Sequence, residues 1–462
     1  MDSHEGRKTT REKLNTFIQT LRMEIRTGKR SAGEYLPSEK TFAEQYGLSN
    51  QSVRKGLDIL AAEGLIEKIP RVGSKVIRPP SEARTVKLGF HTSVTREADI
   101  HALLDEFRRL HPEIDVQTVP LSHHDYGYIQ QYLNGGILDV VMMNYTHFQD
   151  FVETGNTVLL KPLERNPDIY PFLSEAFTHR GQLLVQPFIF SPLVLCYNPA
   201  HFAEKGLSEP DSSWQWEDLI GHAAKLAIPN ERLGFHCELF SPNRWPLIPL
   251  QKAVKAERGA DGSIRLAGTE LMDALRVCRE MKREFPLISE SITTGESERM
   301  LAMGKASMIM TSYFYLNYLA EADIAFELAP VPHFGAPATM LLNIGLAVNS
   351  LSNAQDEAVR LVDFLSSYQA QLMIRKKTYS LPAYKRAAEW RGEEERYRPS
   401  RFSLFRETIP GFRYFTGIGI TSSELAIISR EVKLYWAGLE SEETFCQRAE
   451  ELLQLRDKPS ER

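Results

Sequence analysis

Residues 36–76 read LPSEKTFAEQYGLSNQSVRKGLDILAAEGLIEKIPRVGSKV, and no other stretch of the chain narrows its fold as far. A first helix is expected over roughly Ser38–Tyr46. Gly47 then makes a sharp turn, a second helix follows, and Gly64 ends it. Leu65–Ile69 and Ser74–Ile77 are short β-type segments on either side of a turn. Upstream, Leu14, Phe17, Ile18, Leu21 and Ile25 recur at helical spacing and form one apolar stripe. Phe42, Ala43, Val53, Leu57, Leu60 and Ala61 supply matching faces on the two motif helices. The layout is that of an α+β winged helix-turn-helix, and the two β segments are its wing.

A unit of this kind places its second helix in the DNA major groove. That leaves Ser49, Asn50, Gln51, Ser52 and Arg54 at the start of the second helix. Their amide, hydroxyl and guanidinium groups suit base edges and phosphates, and the helix N-terminus adds backbone N–H groups for a phosphate.

Charge is divided to match. The chain of 462 residues carries a net charge of −5, yet residues 1–80 hold 15 Lys/Arg against 10 Asp/Glu, and the remainder holds 40 against 50. A basic head on an acidic body fits a DNA-binding module joined to something that does not bind DNA. Cys196, Cys237, Cys278 and Cys446 are widely separated, which points to reduced thiols rather than a disulfide framework or a zinc site. No apolar run is long enough for a membrane span. The N-terminal MDSHEGRKTTREK lacks the apolar core of a signal peptide, so a cytoplasmic location is expected.

LPSE, the Y-G-L-S turn, V-R-K-G-L-x-x-L and E-G-L-I-E-K closely resemble the GntR family of bacterial transcription regulators. By position, the resemblance implies DNA contacts from Lys40, Ser49, Asn50, Gln51, Ser52 and Arg54. The family's wing tip usually reads G-x-G with a basic residue between the glycines. Here it reads Arg71-Val72-Gly73, which puts Arg71 at the first glycine position, where it still supplies a charge.

After Arg78-Pro79-Pro80, a short stiff linker, the pattern changes. Val86–Phe90, Ile114–Val119 and the almost wholly apolar Ile137–Met143 read as strands, and Ala102–Leu110 as an amphipathic helix. Apolar runs alternating with helices argue for a parallel sheet covered on both faces. Ligands in such sheets sit at the carboxyl ends of strands, which here carry His91, Thr92, Asn144, Tyr145 and His147.

The D-V-V strand, the crossing GQLLVQPFIFSPLVLCYNPA, the helix start WQWEDL, the strand GKASMIM and the late amphipathic helix with its F-L pair occur in this order. Together they resemble the extracellular solute-binding proteins of ABC importers, in the sugar-binding, maltose-binding-protein-like group. The resemblance implies a two-lobe α/β periplasmic-binding-protein-like domain of type II, with ligand in the cleft. It divides the chain into a head at 1–78, a linker at 79–85 and a ligand domain at 86–455. The first lobe would be about 86–191 and 325–384, the second about 192–324 and 385–455. By motif position, Ser191, Asn243, Arg244, Trp245 and Tyr313 face the cleft, with Asn144 and Tyr145 opposite. Rings that stack on a pyranose, together with amides and arginine for its hydroxyls, suit a carbohydrate.

The expectation is a ligand-responsive regulator, most simply a repressor. It would be a homodimer on a palindromic double-stranded DNA operator, with no catalytic role, no cofactor, no metal and no membrane partner. Three alternatives remain in view. The cleft has lost sugar binding and serves as a dimer or partner interface. The body is an importer's receptor. Or it is a pyridoxal-phosphate enzyme, for which Pro410-Gly411-Phe412-Arg413 gives a superficial motif match. That motif requires a lysine four residues before its proline, and Arg406 stands there instead. His123-His124-Asp125 reads as a solvated loop, and Glu393-Glu394-Glu395 as an exposed acidic surface.

Overall fold

The computed structural model describes residues 10–26, 29–30, 33–70, 72–77, 84–122, 125–284, 295–393 and 397–456. Arg71, His123, His124, Glu394, Glu395 and the linker residues 78–83 lie outside them. Contacts divide the chain into two compact units. One runs to Thr85 and takes in His111–Asp115; the other is Val86–Leu110 with the chain from Val116 on.

In the first unit, α1 (Thr10–Arg26) packs on α2 (Glu39–Tyr46) and α3 (Asn50–Ala62). Ser38 caps α2 by accepting from the Thr41 N–H, and Gly47 closes it at φ 60°, a left-handed conformation that glycine adopts without strain. Strands β1 (Ile66–Ile69) and β2 (Gly73–Val76) pair antiparallel as the wing. Phe17, Leu21, Phe42, Val53, Leu57 and Leu60 are each at most 2% exposed and form one core. Burying each such side chain stabilises the unit by about 1.5–3 kcal/mol.

The second unit takes in β3 (Arg84–His91) from Val86 on, α4 (Val94–Ala98), α5 (Ile100–Leu110), β4 (Ile114–Leu121) from Val116 on, α6 (Ile129–Asn134), β5 (Val140–Asn144) and α7 (Tyr145–Glu153). Two long strands follow much later in the chain: β6 (Gln186–Tyr197), buried along its whole length, and, after β7 (Leu233–His236) and β8 (Ala306–Ser312), β9 (Thr339–Val348). The sheet runs β4-β3-β5-β9-β6-β8-β7. β3 and β5 are parallel, as are β8 and β7, but β9 runs antiparallel to both β5 and β6, and β6 antiparallel to β8. The sheet is therefore mixed and not parallel throughout. Continuous apolar runs report burial on both faces and say nothing of strand direction.

Helices α8 (Trp216–Leu226) and α10 (Ser422–Trp436) share a core that includes Trp216, Trp245, Tyr435 and Phe445, while Leu301 of α9 (Glu296–Ala302) packs in a second core with Tyr313 and Phe405. Phe148, Phe151 and Phe177 centre a core in the first lobe. All four cysteines are free and buried. Among the described residues, no helix is long and apolar enough to cross a membrane. Pro410 and Gly411 lie in a 3₁₀ turn, and Phe412–Arg413 form a two-residue strand that pairs parallel with Thr339–Met340 of β9.

Candidate functional site

In the head, the expected contact residues share the start of α3. Ser49 is its N-cap: the Ser52 N–H donates to Ser49 Oγ at 3.1 Å, and the two hydroxyls lie 2.9 Å apart. Asn50, Gln51 and Arg54 are exposed on this helix, and Lys40 is exposed on α2. Arg54 grips Glu39 of α2 through both Nε and Nη2, with Nη2 at 2.7 Å. That bond holds the Glu39 carboxyl below its ordinary range. Lys68 on the wing reaches Asp58 at 2.5 Å and the Arg54 carbonyl at 3.4 Å. The arginine is thus held at the helix face by the Glu39 carboxylate.

In the body, a cavity of about 290 Å³ opens where several strand ends meet. Parallel pairing of β3 with β5, Leu88 opposite Val140 and Gly89 opposite Val141, brings the strand ends at His91 and Asn144 to the same side, and β9 brings Ile344 opposite Asn144. Asn144 caps α7 by accepting from the His147 N–H at 2.9 Å. His91 Nδ1 lies 3.2 Å from the Ser93 N–H and 2.8 Å from Ser93 Oγ. A backbone N–H only donates, so Nδ1 is the acceptor and the neutral ring carries its proton on Nε2. Tyr145 stacks on Tyr414 with ring centroids 4.0 Å apart, and its hydroxyl lies 3.0 Å from Thr416 Oγ1. Asn343 Nδ2 donates to the Tyr414 hydroxyl at 2.9 Å.

Of the expected ligand residues, His91, Asn144, Tyr145 and Asn243 line this cavity. Ser191, Arg244, Trp245 and Tyr313 do not. Trp245 is fully buried in the second lobe, its Nε1 donating to Ser429 Oγ at 2.8 Å. Tyr313 is also fully buried. Its hydroxyl donates to the Phe402 carbonyl at 2.8 Å, and its ring meets Phe402 and Phe405 edge-on. Ser191 Oγ is used by the Tyr313 N–H, 2.6 Å away. Aromatic rings with one polar atom fill a core as readily as a cleft once that atom finds a partner. Arg244 stands one layer back, its guanidinium 5.1 Å from the centre of the Tyr315 ring, whose residue does line the cavity.

The cavity also takes residues that the pattern did not single out: Arg96, Glu97, Phe314, Tyr315, Tyr318, Asn343, Tyr414 and Phe415. Arg96 lies over the Tyr318 ring at 4.1 Å. Glu97 is 9% exposed, and burial pushes its carboxyl up to about 7 against the pull of Ser93 and Arg96. Only Asn343 carried a sequence signal, as an amide inside an otherwise apolar run. Among the described residues, no group of three His, Cys, Asp or Glu is placed to hold a metal ion.

Residues 102–396 match the model of the bacterial extracellular solute-binding proteins. The chain belongs to that family. Its residues 15–76 match a second model, that of the bacterial regulatory proteins of the gntR family, so a GntR-type DNA-binding domain is fused to the solute-binding domain. Over 68 residues the chain is 43% identical to the HTH-type transcriptional regulator TreR of Bacillus subtilis, covering 14% of this chain and 29% of that protein. Over 295 residues it is 23% identical to the sn-glycerol-3-phosphate-binding periplasmic protein UgpB of Escherichia coli K12, covering 59% of this chain and 66% of that one. Among solved structures, an ABC substrate-binding protein of Listeria monocytogenes in complex with cycloalternan superposes with a TM-score of 0.68 at 17% identity, over 81% of this chain and 98% of its own. The Thermus thermophilus maltotriose binding protein gives 0.61 at 18% identity, over 81% of this chain and all of its own. Structural likeness at this identity concerns the fold of the solute-binding domain.

Proposed function

We propose that this chain is a sugar-responsive transcription regulator. The observation that carries the reading is the aromatic, polar-rimmed cavity at strand ends of a solute-binding domain, on the same chain as a GntR-type head. Its volume of about 290 Å³ is at the lower end for small-molecule sites, which suits a mono- or disaccharide better than a long oligosaccharide. Solute-binding neighbours whose titles name cycloalternan and maltotriose support a carbohydrate. UgpB, named for sn-glycerol 3-phosphate, supports a polyol more broadly.

In this reading the head is residues 1–78, the linker 79–85 and the ligand domain 86–455. Lys40, Ser49, Asn50, Gln51, Ser52, Arg54 and Arg71 contact DNA. His91, Asn144, Tyr145 and Asn243 contact the sugar directly, and Arg244 acts through Tyr315. The protein works in the cytoplasm as a homodimeric repressor on a palindromic operator, because helix-turn-helix dimers read paired half-sites. Lobe closure around the sugar changes the affinity of the heads for DNA.

A thermal-shift screen of the full chain against mono- and oligosaccharides tests this. A ligand at about 100 times its Kd stabilises the native state by about 2.7 kcal/mol. One selective sugar hit is the expected result. No shift across a broad panel sinks the sugar reading and leaves the cavity as a partner interface.

A further inference from the structure

We infer that the effector carries a protonated amine, seated against the Glu97 carboxylate among the rings of the cavity. This rests on the sugar reading above and narrows it to amino sugars.

The argument starts from an unmet acceptor. Glu97 lies in the cavity wall, and its Oε2 is buried without a hydrogen-bond partner in the protein. Buried carboxylates are ordinarily paired or hydrogen-bonded, because removing the charge from water is costly. Ser93 and Arg96 pull on the carboxyl, but neither bonds Oε2. Arg96, on the same helix, is turned onto Tyr318. The turn following β8 presents Tyr315 and Tyr318, and burial keeps both hydroxyls protonated. From β3, His91 Nδ1 accepts from the Ser93 N–H at 3.2 Å. From α5, His101 is set edge-on to Phe90, and Asp99 at the start of that helix pairs with Lys377 at 3.6 Å. Arg244 and the buried Glu298 influence this region from the far side of Tyr315.

A second unmet atom points the same way. Asn343 is 1% exposed; its Nδ2 is given to Tyr414, and its Oδ1 is buried without a partner. Glu97 Oε2 and Asn343 Oδ1 are both oxygen acceptors in the wall, and a ligand that donates satisfies the two together; His147 Nδ1, also in the wall, can take either role. A hydroxyl donates one hydrogen bond and leaves the Glu97 charge uncompensated. An ammonium donates up to three and neutralises it. The faces and edges of Tyr145, Phe314, Tyr315, Tyr318, Tyr414 and Phe415 suit a cation as well as a sugar ring. A phosphate brings further acceptors and a like charge, and is excluded beside Glu97.

The pH response follows. Binding needs Glu97 ionised and the amine protonated. Affinity therefore falls as the pH drops through the Glu97 titration, which lies at about 7 in the empty cavity and lower with amine bound. It falls again where the amine loses its proton.

The test is calorimetric titration of the full chain with matched sets: glucosamine, N-acetylglucosamine, glucose and glucose 6-phosphate, and the galactose counterparts, each across pH 5.5 to 8.5. The amine of at least one set should bind about tenfold or more tighter than its acetylated and hydroxyl partners, with a maximum in the pH profile. Glu97→Gln should erase the preference and the acid limb while keeping a cooperative melt, and Glu97→Asp should restore part of the preference. If hydroxyl or acetylated sugars bind as well as the amines, or if the preference survives in Glu97→Gln, the amine inference fails and the sugar reading stands. If no sugar binds here or in the thermal screen, both fail.

Discussion

In the head, Arg54 and Glu39 clasp each other on an open helix face, whereas in the body Glu97, in the cavity wall, and Glu298, bonded by the Thr311 hydroxyl, are buried without an ion-pair partner among the described residues. An exposed ion pair adds little to stability, so parting Arg54 from Glu39 costs the fold little. A buried carboxylate without a cation is held by everything packed around it. Burial pushes both Glu97 and Glu298 up to about 7. Under the proposed function, the head exchanges the Arg54–Glu39 pair for DNA, while the body answers to what enters its cavity.

Four substitutions sharpen that contrast. The largest effect is expected for Trp245→Ala, which removes a fully buried indole and its bond to Ser429. Denaturant unfolding should show a loss of about 3–5 kcal/mol in the body's transition. An unchanged midpoint would return Trp245 to the cleft.

Leu57→Ala, at 2% exposure in the head's core, should cost about 2–5 kcal/mol. It should abolish DNA binding through unfolding of the head, read as lost helical circular dichroism. If the head's three helices melt normally, the packing described for α1 and α3 is wrong.

Glu298→Gln probes the buried acid. Folded Glu298 keeps its proton up to about 7, while the unfolded chain releases it near 4.5. The folded state then binds more protons than the unfolded one across this window, so stability is full below about 4.5 and declines as the pH rises to about 7. Glu97 titrates in the same direction over the same range. Replacing Glu298 should make the decline shallower, and a wild-type melting temperature that is flat from pH 4.5 to 7 would contradict the assignment.

The smallest change in stability belongs to Arg54→Ala, within about 0.5 kcal/mol. Its effect should appear instead in the salt dependence of DNA binding, whose logarithmic slope should fall by about one. An unchanged slope would mean that Arg54 meets no phosphate.

The head was legible because its determinants are contiguous. The polar residues from Ser49 to Arg54 follow one turn and start one helix, and the wing follows directly. The body's framework was legible for a related reason: each strand and helix carries its own period. The cavity was not, because it joins residues from near 91 to near 415. Tyr313 and Tyr315 illustrate the difficulty. Two positions apart in TSYFYLN, one tyrosine bonds the Phe402 carbonyl inside the core and the other lines the cavity. Nothing local distinguishes them, since the end of β8 and the turn after it decide which ring points where. Glu97 was missed for the opposite reason, because a glutamate on a short helix reads as solvated until the packing buries it.

The most direct test of the central claim is a closed thermodynamic cycle on the full chain. Fluorescence anisotropy would give the affinity for a duplex selected from a random-sequence pool, with and without the sugar found by thermal shift. Calorimetry would then give the affinity for that sugar with and without the duplex. The account predicts that each ligand changes the other's affinity by the same factor, about 5–150-fold. If sugar and DNA both bind and neither affects the other, head and body are uncoupled and the chain is no sugar-responsive regulator.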